Sequence, residues 1–185
     1  TDGTAGVVQG TSARLIRQEN QGPPAARNRG VCESRGDFIA FLDSDDVWMP
    51  QKMARQMAFL QAHPKAGFVV CRMTARVVPG AKWPASLRKS HWDTNPPAYL
   101  PSGLLVRRDA FQTVGEFDVS MPTGDDSDWF FRARDAGIQG RVLEEVLLEK
   151  TVRPGSVYSR VEESNRSLLR QVRQSLVRKR AGHGS

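Results

Sequence analysis

Along this chain, short apolar runs alternate with segments whose apolar residues recur every three or four positions. "DFIAFL" (Asp37 to Leu42) is apolar on consecutive positions, the pattern of a strand covered on both faces in a parallel sheet. "AGFVVCRM", "SGLLVRR" and "RVLEEVLLEKTV" also read as strands, and "ARLIRQE" (Ala13 to Glu19) as a short one before them. "NQGPPAARNRGVCES" begins with turn residues and continues into a helix, with Pro24 in its first turn. Pro50 opens a second helix, carrying Met53, Met57 and Leu60 at helical spacing and ending near His63-Pro64. "RDAFQTVG" predicts a short helix stopped by Gly115, and a longer helix is predicted from Asp125 to about Ala136. Strand–helix alternation of this kind argues for an α/β layered domain.

Two stretches break the rhythm. Arg72 to Ala98 holds Pro79, Pro84, Pro96 and Pro97 with Trp83 and Trp92, and reads as a long loop. A loop of that length serves function, or its tryptophans fill a core. From about Glu162 onward, Leu168, Leu169, Val172 and Leu176 share one helical face, with arginines around it.

Charge sharpens the second point. The net charge is +7, but from Ser164 onward there are six basic residues (Arg166, Arg170, Arg173, Arg178, Lys179, Arg180) and no acid, which leaves +1 for the rest. The basicity is therefore a tail, and it suits an anionic membrane surface or a solvated terminus. Nucleic acid is not expected as a partner, since no aromatic–basic interleaving accompanies the charge. The apolar runs fall far short of the roughly 20 residues that a membrane span needs, and "TDGTAGVVQG" is no secretory signal. Cys32 and Cys71 stand alone, which points to a reducing compartment and a cytoplasmic location.

The chemistry concentrates in two acidic clusters. In "FIAFLDSDDVW", Asp43, Asp45 and Asp46 follow directly on an apolar strand, where ligands of open α/β sheets bind. Three like charges this close call for a cation, and hard oxygen ligands suit Mg²⁺ or Mn²⁺; a polar turn capping the next helix is the other reading. An EF-hand loop is excluded, because Trp48 and Ala54 stand where it needs Gly and Glu. In "TGDDSDWFFRARDAG", a helical projection puts Asp125, Asp128, Arg132 and Asp135 on a polar stripe, with Asp128 and Arg132 placed to pair. Asp126 shares its face with Trp129, Phe130 and Ala133. It is either a capping-box partner of Thr123 or a partly desolvated base facing a cleft.

Taken in order, "RLIRQENQGPPAARNRGV", "GDFIAFLDSDDVWMPQKMARQMAFL", "PSGLLVRRDAFQTVGEFD" and "GDDSDWFFRARDAG" resemble glycosyltransferase family 2. The resemblance implies a GT-A fold, Rossmann-like, with a mixed, mostly parallel sheet flanked by helices. It covers residues 1–157, and residues 158–185 are expected to form a basic amphipathic helix or tail. The implied activity is inverting transfer of a sugar from a nucleoside-diphosphate-sugar to an acceptor hydroxyl, on a saccharide or a lipid-linked acceptor. Carried over by motif, Asp43 and Asp45 form the Asp-x-Asp pair. Asp45 is expected to hold Mg²⁺ or Mn²⁺ directly, with Asp43 near the donor. Asp126 is the implied general base, with Asp125 and Trp129 on the acceptor side. Arg27, Ser102 and Gly103 would contact the nucleotide-sugar.

The sequence departs from the family pattern at three places. Asp125 replaces the usual Glu. Arg153 stands where a metal-binding His is common, and would pair with diphosphate oxygens instead. "TDGT" matches the end of the family's first loop, so the first strands of the fold are expected to be missing, Asp2 is not the nucleotide aspartate, and the chain alone is expected to be poorly stable or inactive. Two rivals remain open. A haloacid-dehalogenase-type phosphatase or phosphotransferase would use Asp43 as nucleophile and Asp45 as acid/base. A non-catalytic module would bind membrane surfaces through the tail.

Overall fold

In this computed structural model the described residues are 3–80, 82–83, 88–121, 123–153, 169, 171–175 and 177–178. Helix α1 (Thr4–Gln9) is followed by α2 (Gly22–Glu33), β1 (Phe38–Ala40), β2 (Val47–Trp48), α3 (Lys52–Ala62) and β3 (Phe68–Val77). Then come α4 (Lys89–Trp92), a 3-10 turn at Pro101–Gly103, β4 (Leu105–Arg107), α5 (Arg108–Val114), α6 (Asp125–Asp135) and β5 (Gly140–Val152). The strands form one mixed sheet in the order β1-β4-β3-β5-β2. Its long ladder is the parallel one, running from Phe68 opposite Gly140 to Val77 opposite Val152. The antiparallel pairings β1·β4, β3·β4 and β2·β5 are short. The expected α/β architecture is therefore present.

Three local expectations are corrected. Ala13–Glu19 is not a strand: it runs irregularly over the surface, where it gains an ion pair from Arg14 to Glu33 but no ladder partner. "DFIAFL" is a shorter strand than expected and does not pair in parallel: only Phe38–Ala40 is extended, and its partner β4 runs antiparallel, while Ile39 and Phe41 are buried in one core cluster and the half-buried Phe38 and Ala40 pack against another. Within Arg72–Ala98, β3 continues to Val77, and Trp92 closes a core cluster with Cys71, Met73, Leu100 and Leu148. Trp83 packs against Trp92 at 6.3 Å between ring centroids, so these tryptophans fill a core.

The larger core lies under α5 and α6. Phe41, Phe68, Phe111, Phe117 and Trp129 pack there with Val70, Leu104 and Val106. Trp129 stacks 5.6 Å from Phe111 and donates its indole N–H to the Gly115 carbonyl at 2.9 Å. Gly115 ends α5 with φ 87°, which a glycine adopts without strain. Helix α3 buries Lys52, Gln56 and Leu60 rather than its two methionines. The amide of Gln56 accounts for this: it takes the Lys52 ammonium at 2.7 Å and gives its own N–H to the Gly103 carbonyl at 2.8 Å. Burial pulls the Lys52 pKa down to about 8, and its Nζ lies 4.3 Å from the centre of the Trp48 ring. This polar knot pins α3 to the chain that backs the acidic turn.

Candidate active site

The acidic turn is closed by the Asp46 N–H, which donates to the Asp43 carbonyl at 3.0 Å. Ser44 and Asp45 therefore sit at its tip. The Asp43 N–H donates to Ser102 Oγ at 3.0 Å, and the Ser102 carbonyl accepts the Trp48 indole N–H at 2.8 Å. Ser102 and Gly103 thus hold the turn from behind. Both are buried, and neither lines the cavity that the turn opens into. Their neighbours Leu100 and Pro101 do line it.

Each carboxylate of the turn has its own cation. Arg27, from α2, donates to Asp43 at 2.8 Å. Lys150, from β5, sits 3.0 Å from Asp46 and 3.7 Å from Asp43. Arg153 approaches Asp45 at 3.6 Å and is largely exposed. Asp46 also accepts the Thr151 N–H at 3.2 Å, so it is a strut between the turn and the end of β5. Lys150 was not singled out from the sequence. Its one signal is a lone ammonium group inside the apolar run "VLLEKTV", where an unpaired charge would be costly.

Arg27 reaches further. Its second nitrogen donates to Asp125 at 3.0 Å, so it bridges the turn to α6. Asn28 fixes this stretch of α2, because its side-chain amide exchanges two hydrogen bonds with the Phe117 backbone, at 2.8 and 3.0 Å. Asn28 is a second residue that periodicity does not reveal.

Helix α6 starts from Gly124, whose φ of 81° is left-handed, with no side-chain cap. The capping-box reading is therefore set aside. Asp125 is buried, and its pKa is pushed up to about 6 by burial and by the neighbouring Asp126, with Arg27 opposing. Asp126 is raised as well, by burial first and by Asp43, against the Ser127 N–H that donates to it at 2.7 Å. Asp128 pairs with Arg132 at 2.7 Å, as the spacing predicts. Trp129 is fully buried in the core, which corrects its expected place on the acceptor side.

Arg27, Asp43, Asp45, Asp125, Asp126, Lys150 and Arg153 all line one cavity of about 1290 Å³. A carboxylate turn at one element and a desolvated acid at another, sharing a cleft with basic groups, suit an anionic substrate and proton abstraction. Among the described residues no three potential metal-ligating side chains converge. Asp45 nevertheless suits a hard divalent ion, because it lines the cavity and its one ion pair among the described residues is a long contact to Arg153. Mg²⁺ and its relatives commonly take one or two carboxylates and complete their shell with phosphate oxygens and water.

The family model described as Glycosyl transferase family 2 matches residues 1–115, more than half of the chain. The chain belongs to glycosyl transferase family 2. It is 30% identical over 126 residues to the uncharacterized glycosyltransferase YwdF of Bacillus subtilis, covering 63% of this chain and 46% of the relative. With the pre-mycofactocin glycosyltransferase of Mycobacterium tuberculosis it shares 31% identity over 143 residues, 69% of this chain and 29% of that one. Among solved structures, Staphylococcus aureus TarS 1-349 in complex with UDP-GlcNAc superposes with a TM-score of 0.64 at 20% identity, over 86% of this chain and 49% of that one. The mannosyltransferase PcManGT of Pyrobaculum calidifontis, in complex with GDP-Man and Mn²⁺, gives 0.61 at 19% identity, over 85% and 46%. Both likenesses show the GT-A fold. The glycosyl transferase family 2 chain thus spans less than half the length of these proteins. Family membership argues against the phosphatase reading. Asp43, which a phosphatase would need as a free nucleophile, is held by Arg27.

Proposed function

We propose that this glycosyltransferase moves a sugar from a nucleoside-diphosphate-sugar to an acceptor hydroxyl with inversion, using Asp126 as general base. The observation that carries the reading is that Asp45 and Asp126, from separate elements, line the same cavity. Asp126 takes the proton of the acceptor hydroxyl as that oxygen bonds to the anomeric carbon. The bond from that carbon to the diphosphate oxygen breaks on the opposite face, and its electron pair leaves with the nucleoside diphosphate. A raised carboxyl pKa suits a base that must both ionise near neutrality and hold a proton. Asp45 would hold Mg²⁺ or Mn²⁺, which supplies Lewis-acid stabilisation of the diphosphate. Arg153 and Lys150 add positive charge on the same side of the turn, and Arg27 fixes Asp43 near the donor. Asp125 sits beside the base and sets its electrostatic surroundings.

The acceptor, a saccharide or a lipid-linked one, enters beside Asp126. Residues 158–185 are read as a basic amphipathic extension of the 1–157 domain. Within it Leu169 is 71% and Val177 61% exposed, and Arg173 is exposed beside them. This supports contact with an anionic membrane surface. Leu168 and Leu176, the other apolar positions of that face, lie outside the described residues. No helix among the described residues is long and apolar enough to cross a membrane. The test is a scan of sugar nucleotides, with Mg²⁺ or Mn²⁺ and with chelator, on the natural polypeptide carrying these residues. Metal-dependent release of nucleoside diphosphate is expected, and activity on phosphomonoesters instead would overturn the reading.

A further inference from the structure

The residues 169, 171–175 and 177–178 are helical and lie against α6. Among the described residues, the side chains that meet α6 are polar. Gln171 is 0% and Ser175 2% exposed, whereas Leu169 and Val177 are open to solvent. An amphipathic helix normally buries its apolar stripe, so what the polar face touches explains the arrangement. A buried amide N–H needs an acceptor, and the one that Gln171 finds is on α6.

Gln171 donates its side-chain N–H to the Gly124 carbonyl at 2.8 Å. Gly124 is the residue from which α6 starts, and the same carbonyl accepts the first helical hydrogen bond, from the Asp128 N–H at 2.9 Å. Asp125 and Asp126 follow it directly. A second anchor holds the far end of α6. Asp135 accepts from Ser175 Oγ at 2.8 Å and from Arg178 Nε at 2.9 Å, and Arg134 donates to Ser175 Oγ at 2.7 Å. The segment is therefore bonded to α6 at both ends. Gln171 also reaches the wall of the substrate cavity, beside Thr123 and Gly124.

We propose that Gln171 is a positioning residue for sugar transfer: from the C-terminal helix it clamps the Gly124 carbonyl and so sets where the Asp126 carboxylate points. This rests on the reading of Asp126 as the base. The clamp acts on the residue from which α6 starts, a glycine with no side chain of its own to fix that end. A small rotation about a left-handed glycine swings the next two residues together, and misplacing a catalytic group by about 1 Å costs roughly 100-fold in rate.

Gln171→Met keeps the packing volume and removes the donor. In the natural polypeptide it should lower kcat about tenfold while donor KM changes less than twofold. Hydrogen exchange at the amides of 125–128 should accelerate, with those of β3 unchanged. An unchanged kcat, or an equal change in kcat and KM with exchange raised throughout the molecule, overturns the clamp. Unchanged exchange at 125–128 overturns the contact itself. Asp126→Asn run alongside separates the two ideas: full activity in that variant overturns the base assignment, whereas the exchange readout still decides the clamp.

Discussion

Asp43 and Asp125 are joined by one guanidinium: Arg27 donates to the first at 2.8 Å and to the second at 3.0 Å. The turn that follows β1 and the helix that carries the proposed base are thereby fixed to each other through a residue of α2. Burial works against the charge on Arg27, but Asp43 and Asp125 more than offset it, and its pKa is raised. Arg27→Met should therefore damage both stability and chemistry. Leaving Asp125 without Arg27, and Asp43 with Lys150 at 3.7 Å alone, should cost on the order of 3 kcal/mol, read as a lower urea midpoint, and transfer should fall about 100-fold through misalignment. Arg27→Lys keeps the charge but supplies a point donor in place of a fork, and should recover stability better than rate.

Asp45 and Asp46 are adjacent, yet their variants should separate. Asp46 is buried against Lys150 at 3.0 Å. Asp46→Ala removes the nearer carboxylate from a buried ammonium and the acceptor of the Thr151 N–H, leaving Lys150 with Asp43 at 3.7 Å, and should cost about 3 kcal/mol, seen in thermal or urea unfolding. Among the described residues, the ion pair of Asp45 is a long, exposed one with Arg153, worth about 0–1 kcal/mol. Asp45→Asn should unfold as the wild type does while losing the response of nucleoside-diphosphate binding to Mn²⁺, measured by calorimetry.

The pKa of Asp125 sets a pH dependence of stability. Its folded value of about 6 lies above its ordinary value of 3.8. The folded protein therefore holds the proton more tightly than the unfolded chain does. The resulting stability is complete below about pH 3.8 and is lost as pH rises through about 6. Asp125→Asn removes this contribution. Its unfolding free energy, followed by urea titration at steps from pH 4 to 7, should fall less steeply than that of the wild type.

Gly103 tests the support behind the turn. A Cβ there would lie 2.4 Å from the Ala98 carbonyl oxygen and 2.5 Å from its Cβ. Since backbone must shift to make room, Gly103→Ala should cost about 1–3 kcal/mol. The same shift moves Ser102 from the Asp43 N–H, so donor KM should rise as well.

Where the chain's own periodicity decides structure, the reading from residues alone was close. β3, α5 with its stop at Gly115, and α6 with its Asp128–Arg132 pair all follow from spacing. Ala13–Glu19 misled because alternation implies a strand only where a partner lies alongside. β2 is two residues long and is defined by Glu149 and Leu148 across from it, which no local pattern announces. Trp129, next to the acidic start of α6 in sequence, is drawn into the aromatic core instead. Lys150, Asn28 and Gln56 escaped notice because each is a polar residue whose partner is distant in sequence. The carboxylates were legible, but the cations that hold them were only partly so.

The central claim is a division of labour across one cavity, with Asp45 on the diphosphate side and Asp126 taking the proton. The most direct measurement is transfer rate together with donor binding for Asp126→Asn, in the natural polypeptide with Mn²⁺. The account predicts donor affinity within about twofold of wild type and transfer lowered roughly 1000-fold, the scale of losing a positioned base. Transfer at the wild-type rate would contradict it.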